Sequence, residues 1–171
     1  VLAAETGAVA FRNTDNYRTA LTAVAADTST YYVLAYSPVN QALDGKFRRI
    51  SADGTVSTIA RGFNTPSGLA VDRAGVIYVA DTGSNAIRTI APDGAASMLS
   101  NDFNGPVGVA VHLDGRVIVA DTYNDRIRAI LPDRTVRDVT HEPFDTPCGV
   151  AVDGAGNIYV AETGAGAVRI I

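Results

Sequence analysis

The sequence predicts a mainly β protein: a partial β-propeller of four-stranded antiparallel blades, preceded by a βαβ fragment of an α/β domain. Three observations carry that expectation. The stretch PSGLAVDRAGVIYVADTGSNAIRTI, Pro66 to Ile90, returns from Pro106 to Ile130 and again from Pro147 to Ile171, at spacings of 40 and 41 residues. A repeat of roughly 40 residues built from short apolar runs and Gly-rich turns has the period of a propeller blade. The second run of each copy is apolar on both faces, Ile77 and Val79 against Tyr78 and Ala80, Val117 and Val119 against Ile118 and Ala120, Ile158 and Val160 against Tyr159 and Ala161. A sheet apolar on both sides must lie between two others, which radial stacking provides. Residues 1–46, by contrast, place a run of helical period between two strand-like runs.

In chain order, VLAAETG at the start reads as the last turn of a helix closed by Gly7. Ala8 to Arg12 follows as a short strand, and Thr14 or Asp15 can cap a helix whose apolar face carries Tyr17, Ala20, Leu21, Val24 and Thr28. Tyr31 to Tyr36, YYVLAY, is aromatic and apolar throughout, as in a parallel strand covered on both faces, and Pro38 ends it. A two-stranded piece of this size cannot bury both its faces alone. A competing reading makes the start a decayed blade, because Ala4 to Ala8 matches Ala161 to Ala165 and Glu5 precedes Arg12 as Glu162 precedes Arg169. The helical run after Arg12 has no counterpart in the repeats and favours the βαβ fragment.

From Phe47 onward, turn signals cut the chain into short strands. In the first full copy these are Gly68 to Asp72, Val76 to Asp81, Ile87 to Ala91 and Ala95 to Ser100, joined by turns tight enough to make neighbours antiparallel. First strands carry small residues suited to a crowded axis, and fourth strands such as Thr135 to Thr140 are more polar, as outer edges should be. The domain division is 1–46 and 47–171, with repeats over 47–86, 87–126 and 127–167 and the start of a further one at 168–171. The sequence thus holds two whole blades, two strands before them and three after. Either it is part of a longer protein, or copies self-associate to complete a ring, with Thr55 to Ala60 filling the place beside Val168 to Ile171.

Two resemblances rest on these residues. AAETGAVAFRNTDNYRTAL, DTSTYYVLAYSP and DGKFRRI, in that order, resemble the carboxyl end of von Willebrand factor A-related domains of bacterial exported proteins, over residues 1–50. That resemblance implies a doubly wound α/β fold and an extracytoplasmic location. It also implies a metal site in an Asp-x-Ser-x-Ser loop, and no stretch here matches that loop, so no metal ligand is carried over. The set P-x-G-[LV]-A-V-D, I-Y-V-A-D-T and I-R-x-I resembles the NHL repeat family of β-propellers over Phe47 to Ile171. Departures are mild: Asp72 becomes His112, Asp81 becomes Glu162, and Gly94 becomes Arg134. Some propellers similar to NHL proteins are lyases or lactonases that depend on metal ligands, and others bind RNA.

Composition narrows the partners. Apolar residues make up 47% of the chain, with no apolar run long enough to cross a bilayer as a helix. A net charge of −4 gives no general attraction to nucleic acid or anionic lipid, so neither nucleic acid nor membrane is an expected partner. The one cysteine, Cys148, aligns with Ser67 and Val107 and has no basic neighbour to activate it. His112 and His141 fall at unrelated points of the repeat and read as solvated turn residues, since a catalytic zinc needs about three protein ligands. No catalytic residue, cofactor or metal is assigned, and the expectation is a non-enzymatic scaffold for protein or small-ligand binding. The alternative is part of a lyase- or lactonase-type propeller without its catalytic ligands.

Two residue sets remain. Asp81, Asp121 and Glu162 recur with Arg88, Arg128 and Arg169 seven positions later. They form either a ring of acids at a propeller mouth or a structural lock in every blade, and their repetition favours the lock. The second set, Asn64, Asn85, Asn104, Tyr123, Asn124, Asp125 and Asp145, lies in the turns that join fourth to first and second to third strands, which should share one mouth. Tyr123 stands where the other copies have Gly83 and Gly164, with no packing duty apparent in the repeat. The asparagines also suit turn geometry alone.

Overall fold

A computed structural model describes residues 47–51 and 54–171. The expected βαβ fragment, residues 1–46, lies outside these. Two compact units contribute to the described residues. In one, β1 (Phe47–Ile50) and β2 (Val56–Ala60) form an antiparallel hairpin, and Gly54 at φ 83° donates its amide to the Ser51 carbonyl at 2.8 Å to close the turn.

The other unit, which carries residues 62–171, holds three successive sheets. The first blade orders β3 (Pro66–Val71), β4 (Ile77–Asp81), β5 (Ala86–Ile90) and β6 (Ala96–Ser100) as a meander. The second is β7 (Val109–Val111), β8 (Val117–Asp121), β9 (Arg126–Ile130) and β10 (Val136–Asp138). The third is β11 (Pro147–Val152), β12 (Ile158–Glu162) and β13 (Ala167–Ile170). All neighbours are antiparallel, as the short turns require. The predicted fourth strand of the second blade is shorter than expected: it ends at Asp138, one further bond runs from the Val139 amide to the Ile127 carbonyl, and the chain then turns through His141 and Pro143.

Alternation along β8 shows why its residues had to be apolar on both faces. Val117 and Val119 pack into a core with Ala80 and Ile87 of the first blade and Phe103 of the loop between the two, whereas Ile118 and Ala120 pack into a second core with Ile158 and Val160 of the third. Full burial of residues the size of Ile118 or Ile127 contributes about 1.5–3 kcal/mol each. The inner strands β3, β7 and β11 approach one another side by side, so that Gly68 and Gly108 face the backbone of the next blade. Threonine hydroxyls fasten the same seam: Thr82 donates to the Pro106 carbonyl and Thr122 to the Pro147 carbonyl, each at 2.7 Å.

The turn between first and second strands closes on one carboxylate. Asp72 accepts the amides of Ala74 and Val76, and Asp153 those of Ala155 and Asn157, with the Tyr78 and Tyr159 hydroxyls on the other oxygen. In the second blade His112 fills this position and is mostly buried rather than solvated. Its Nδ1 lies 2.7 Å from Asp114 Oδ1, and its Nε2 lies 3.1 Å from the Gly156 carbonyl of the third blade.

The Asn157 side-chain amide, followed by its backbone N–H, holds the Asp153 carboxyl down to about 2. A carboxyl depressed in the folded state supports its turn above the unfolded value, near 3.9. That support is lost as pH falls through the folded value. The Ala155 and Asn157 amide resonances are therefore expected to titrate with a midpoint near 2, and a midpoint near 4 would show that the turn is not closed in this way.

Candidate functional site

Each blade ends its second strand in an acid buried between two loops. Asp121, fully inaccessible to solvent, accepts the Asn104 amide at 2.7 Å on one oxygen and the Asn124 side-chain amide at 2.9 Å on the other. Asp81 accepts the Asn64 amide at 2.6 Å, and Glu162 accepts the Asp145 amide at 3.4 Å. Removing such a carboxylate from water is costly unless it is paired and hydrogen-bonded. The pairing comes from the arginine seven residues on, with Arg88 3.5 Å from Asp81, Arg128 3.3 Å from Asp121 and Arg169 3.0 Å from Glu162.

Every one of these arginines also does two further things. It donates to a carbonyl at the start of the loop before the first strand, that of Gly62, Asp102 or Pro143. It also lies over a buried ring, Arg88 on Phe63 at 4.3 Å, Arg128 on Phe103 at 5.4 Å and Arg169 on Phe144 at 4.7 Å. The acid, arginine and phenylalanine together tie the end of the second strand to the loop that enters the first. Arg128 also reaches Asp138 on the outer strand at 3.4 Å. The phenylalanines were not singled out from sequence, although Phe63, Phe103 and Phe144 recur at the repeat spacing and carried the signal. Thr82 and Thr122 were missed in the same way.

The two sets of predicted mouth loops do meet at one end of the blades. Gly83 donates its amide to the Asn64 carbonyl, Tyr123 to that of Asn104, and Gly164 to that of Asp145, at 2.9 to 3.2 Å. Asn85 and Asp125 occupy the left-handed position that ends a 3-10 turn, at φ 52° and 53°. Each reaches across a blade boundary, Asn85 Oδ1 accepting the Gly105 amide at 2.8 Å and Asp125 Oδ1 the Thr146 amide at 3.0 Å. Asn64 donates to the Gly83 carbonyl at 2.9 Å, and Asn124 spends its side-chain amide on Asp121. Most of the predicted mouth residues therefore also make bonds within the loops.

Tyr123 is different. It is 69% exposed, and its ring lies on the backbone of Gly105, where an added Cβ would stand 2.3 and 2.5 Å from two ring carbons. The residue thus has a packing partner that the repeat pattern did not reveal. The three blades share out this space differently. Where the entering loop has Thr65 or Thr146, the facing turn has Gly83 or Gly164, and the Asn64 or Asp145 side chain lies over that glycine. Where the loop has Gly105, at φ 54°, the turn carries the tyrosine. Cys148 is half-buried and directs its thiol to the Thr146 carbonyl at 3.5 Å. Among the described residues, no group of three or more histidine, cysteine or acidic side chains is placed to share a metal ion.

The NHL repeat family model matches residues 63–90 and 103–130, so these two stretches are NHL repeats within a β-propeller segment. The third blade repeats the same acid, arginine and phenylalanine contacts outside the matched residues. No curated protein matches the chain in sequence. Among solved structures, the chain is similar to a catalytically inactive virginiamycin B lyase from Staphylococcus aureus crystallised with quinupristin, at 20% identity and TM-score 0.60, over 74% of this chain and 45% of that one. It is similar to a nidogen/laminin complex at 21% identity and TM-score 0.68, over 74% and 52%, and to a gluconolactonase from Xanthomonas campestris at 13% and 0.58, over 79% and 44%. The chain spans about half the length of these structures.

At such identities the likeness establishes the fold. It also corrects the expectation of a non-enzymatic protein: the fold this chain shares is one that lyase and gluconolactonase enzymes use, so propeller architecture gives no ground for setting catalysis aside.

Proposed function

We propose that the chain is a ligand-binding segment of an NHL-type propeller, and that it recognises a protein or small molecule through the loops at the Tyr123 end of its blades. The observation that carries this reading is the break in symmetry at Tyr123. Three blades repeat the same acid, arginine and phenylalanine core, and one of them alone gives up its glycine to hold an aromatic ring out to solvent over Gly105. Loops on a rigid scaffold are the usual seat of recognition, and aromatic residues are the usual anchors. Two of the similar structures support the reading, since one is a lyase crystallised with quinupristin and another is a nidogen/laminin complex.

A screen of mixed peptides, saccharides and small organic acids against the isotope-labelled protein tests it. Binders are expected to shift amide resonances in residues 62–65, 82–85, 102–106, 122–125 and 142–146. Shifts gathered instead on the opposite turns, around Asp72, His112 and Asp153, would refute the assignment of the site.

A further inference from the structure

The chemistry of the occupant can be read from the same loops. We infer that the Tyr123 end of the second and third blades docks a basic peptide segment of a protein partner, with an arginine or lysine side chain laid on the open face of the Tyr123 ring. This rests on the mouth being the binding end, and adds what binds there.

Two independent features converge. The first is the ring itself. One face is seated on Gly105, whose own amide is pinned by Asn85 from the preceding blade, so the ring is held flat with its other face free. A fixed aromatic face open to solvent attracts a cation through the negative potential above its plane. The chain already uses this chemistry three times, at Arg88, Arg128 and Arg169 over phenylalanines, and those rings are buried beneath their own arginines. Tyr123 has no such cation over it among the described ring contacts.

The second feature is charge. The six loops at this end, residues 62–65, 82–85, 102–106, 122–125, 142–146 and 163–166, contain four acids, Asp102, Asp125, Glu142 and Asp145, and no lysine or arginine. Glu142 shares Arg169 with the buried Glu162. Asp125 and Asp145 are exposed and have no ion-pair partner among the described residues. They also lie close together, because Asp125 accepts the amide of Thr146, the residue after Asp145, and Asp125 is itself two residues from Tyr123. Like charges side by side without a counterion repel, and a cationic partner relieves them. A polyanion such as nucleic acid would meet charge of its own sign and be repelled.

The repeat itself supplies substitutions that keep the fold. Asn85 stands in the position of Asp125, accepting the same cross-blade amide bond, and Asn64 and Asn104 stand in that of Asp145. Asp125→Asn with Asp145→Asn therefore removes charge without removing the architecture. Tyr123→Phe keeps the ring face, and Tyr123→Ala removes it.

Titration calorimetry of the whole chain with a decapeptide of alternating arginine and glycine, and with its glutamate counterpart, decides the matter when paired with amide shift mapping. The arginine peptide is expected to bind at the Tyr123 loops and the glutamate peptide not to bind. Tyr123→Ala should weaken binding about tenfold, Tyr123→Phe by less than about twofold, and the double asparagine variant should weaken it severalfold and flatten its salt dependence. Equal affinity of wild type and Tyr123→Ala would mean a merely general attraction to an acidic protein and would overturn the inference. Glutamate-peptide or oligonucleotide binding mapped to the same loops would overturn the basic partner while leaving the mouth intact. Binding mapped to the turns around His112 would overturn the mouth assignment itself.

Discussion

Replacing Arg128 with alanine is expected to lower the unfolding free energy by about 3 kcal/mol, because it leaves the Asp121 carboxylate charged and sealed from water. Two hydrogen bonds, from the Asn104 amide and the Asn124 side chain, stay with Asp121 and keep the cost below the upper end for a broken buried pair. The variant also loses the donation to the Asp102 carbonyl and the stacking on Phe103. Asp121→Asn should cost less, since it leaves behind a partly exposed arginine instead of a buried charge, and the asparagine oxygen can still accept the Asn104 amide. Urea unfolding of both variants and of the double variant would show the two sites strongly coupled. A loss of ligand binding with unchanged stability would contradict the role given to the pair.

Gly108→Ala is the second large effect, expected to cost about 2–3 kcal/mol through overpacking. Its Cβ would stand 2.4 Å from the Cys148 carbonyl oxygen and 3.1 Å from the Val150 amide nitrogen, both backbone atoms of the next inner strand. Neither can rotate aside, so the blades must part at the axis. Gly68 has the same relation to the Val107 carbonyl at 2.3 Å. Gly154→Ala serves as the control, since nothing lies within 4 Å of its added Cβ and its backbone angle is ordinary. It should be neutral to within about 0.5 kcal/mol in the same urea unfolding experiment.

Much of this was legible in the chain. The doubly apolar runs at Ile77 to Ala80 and Val117 to Ala120 announced sheets with cores on both sides, and the two cores that share β8 are where those residues go. The interval between acid and arginine was visible too, because seven residues on a tight hairpin return the chain to its starting height. Position Asp81 pairs with Ala86 across the hairpin and Val79 with Arg88, which puts the guanidinium beside the acid. What could not be read was reciprocity between distant loops. Nothing local to Tyr123 says that Gly105 lies beneath it, or that His112 spans to Gly156, since these contacts are made by blade stacking and not by neighbours in sequence. The Asn85 and Asp125 side chains were legible as turn formers, and their second role as acceptors across the blade boundary was hidden for the same reason.

Radial stacking of separate sheets, inner strand beside inner strand, is the claim on which the mouth and its ligand depend. Nuclear Overhauser contacts tie it down directly: the Gly68 α-protons should lie close to those of Gly108, whose Cα is 3.2 Å from the ideal Gly68 Cβ, and the Gly108 α-protons close to the Val150 amide. Those cross-blade contacts should appear alongside the hairpin contacts within each sheet. Hairpin contacts alone, with Gly108 remote from both Gly68 and Val150, would show blades that do not stack.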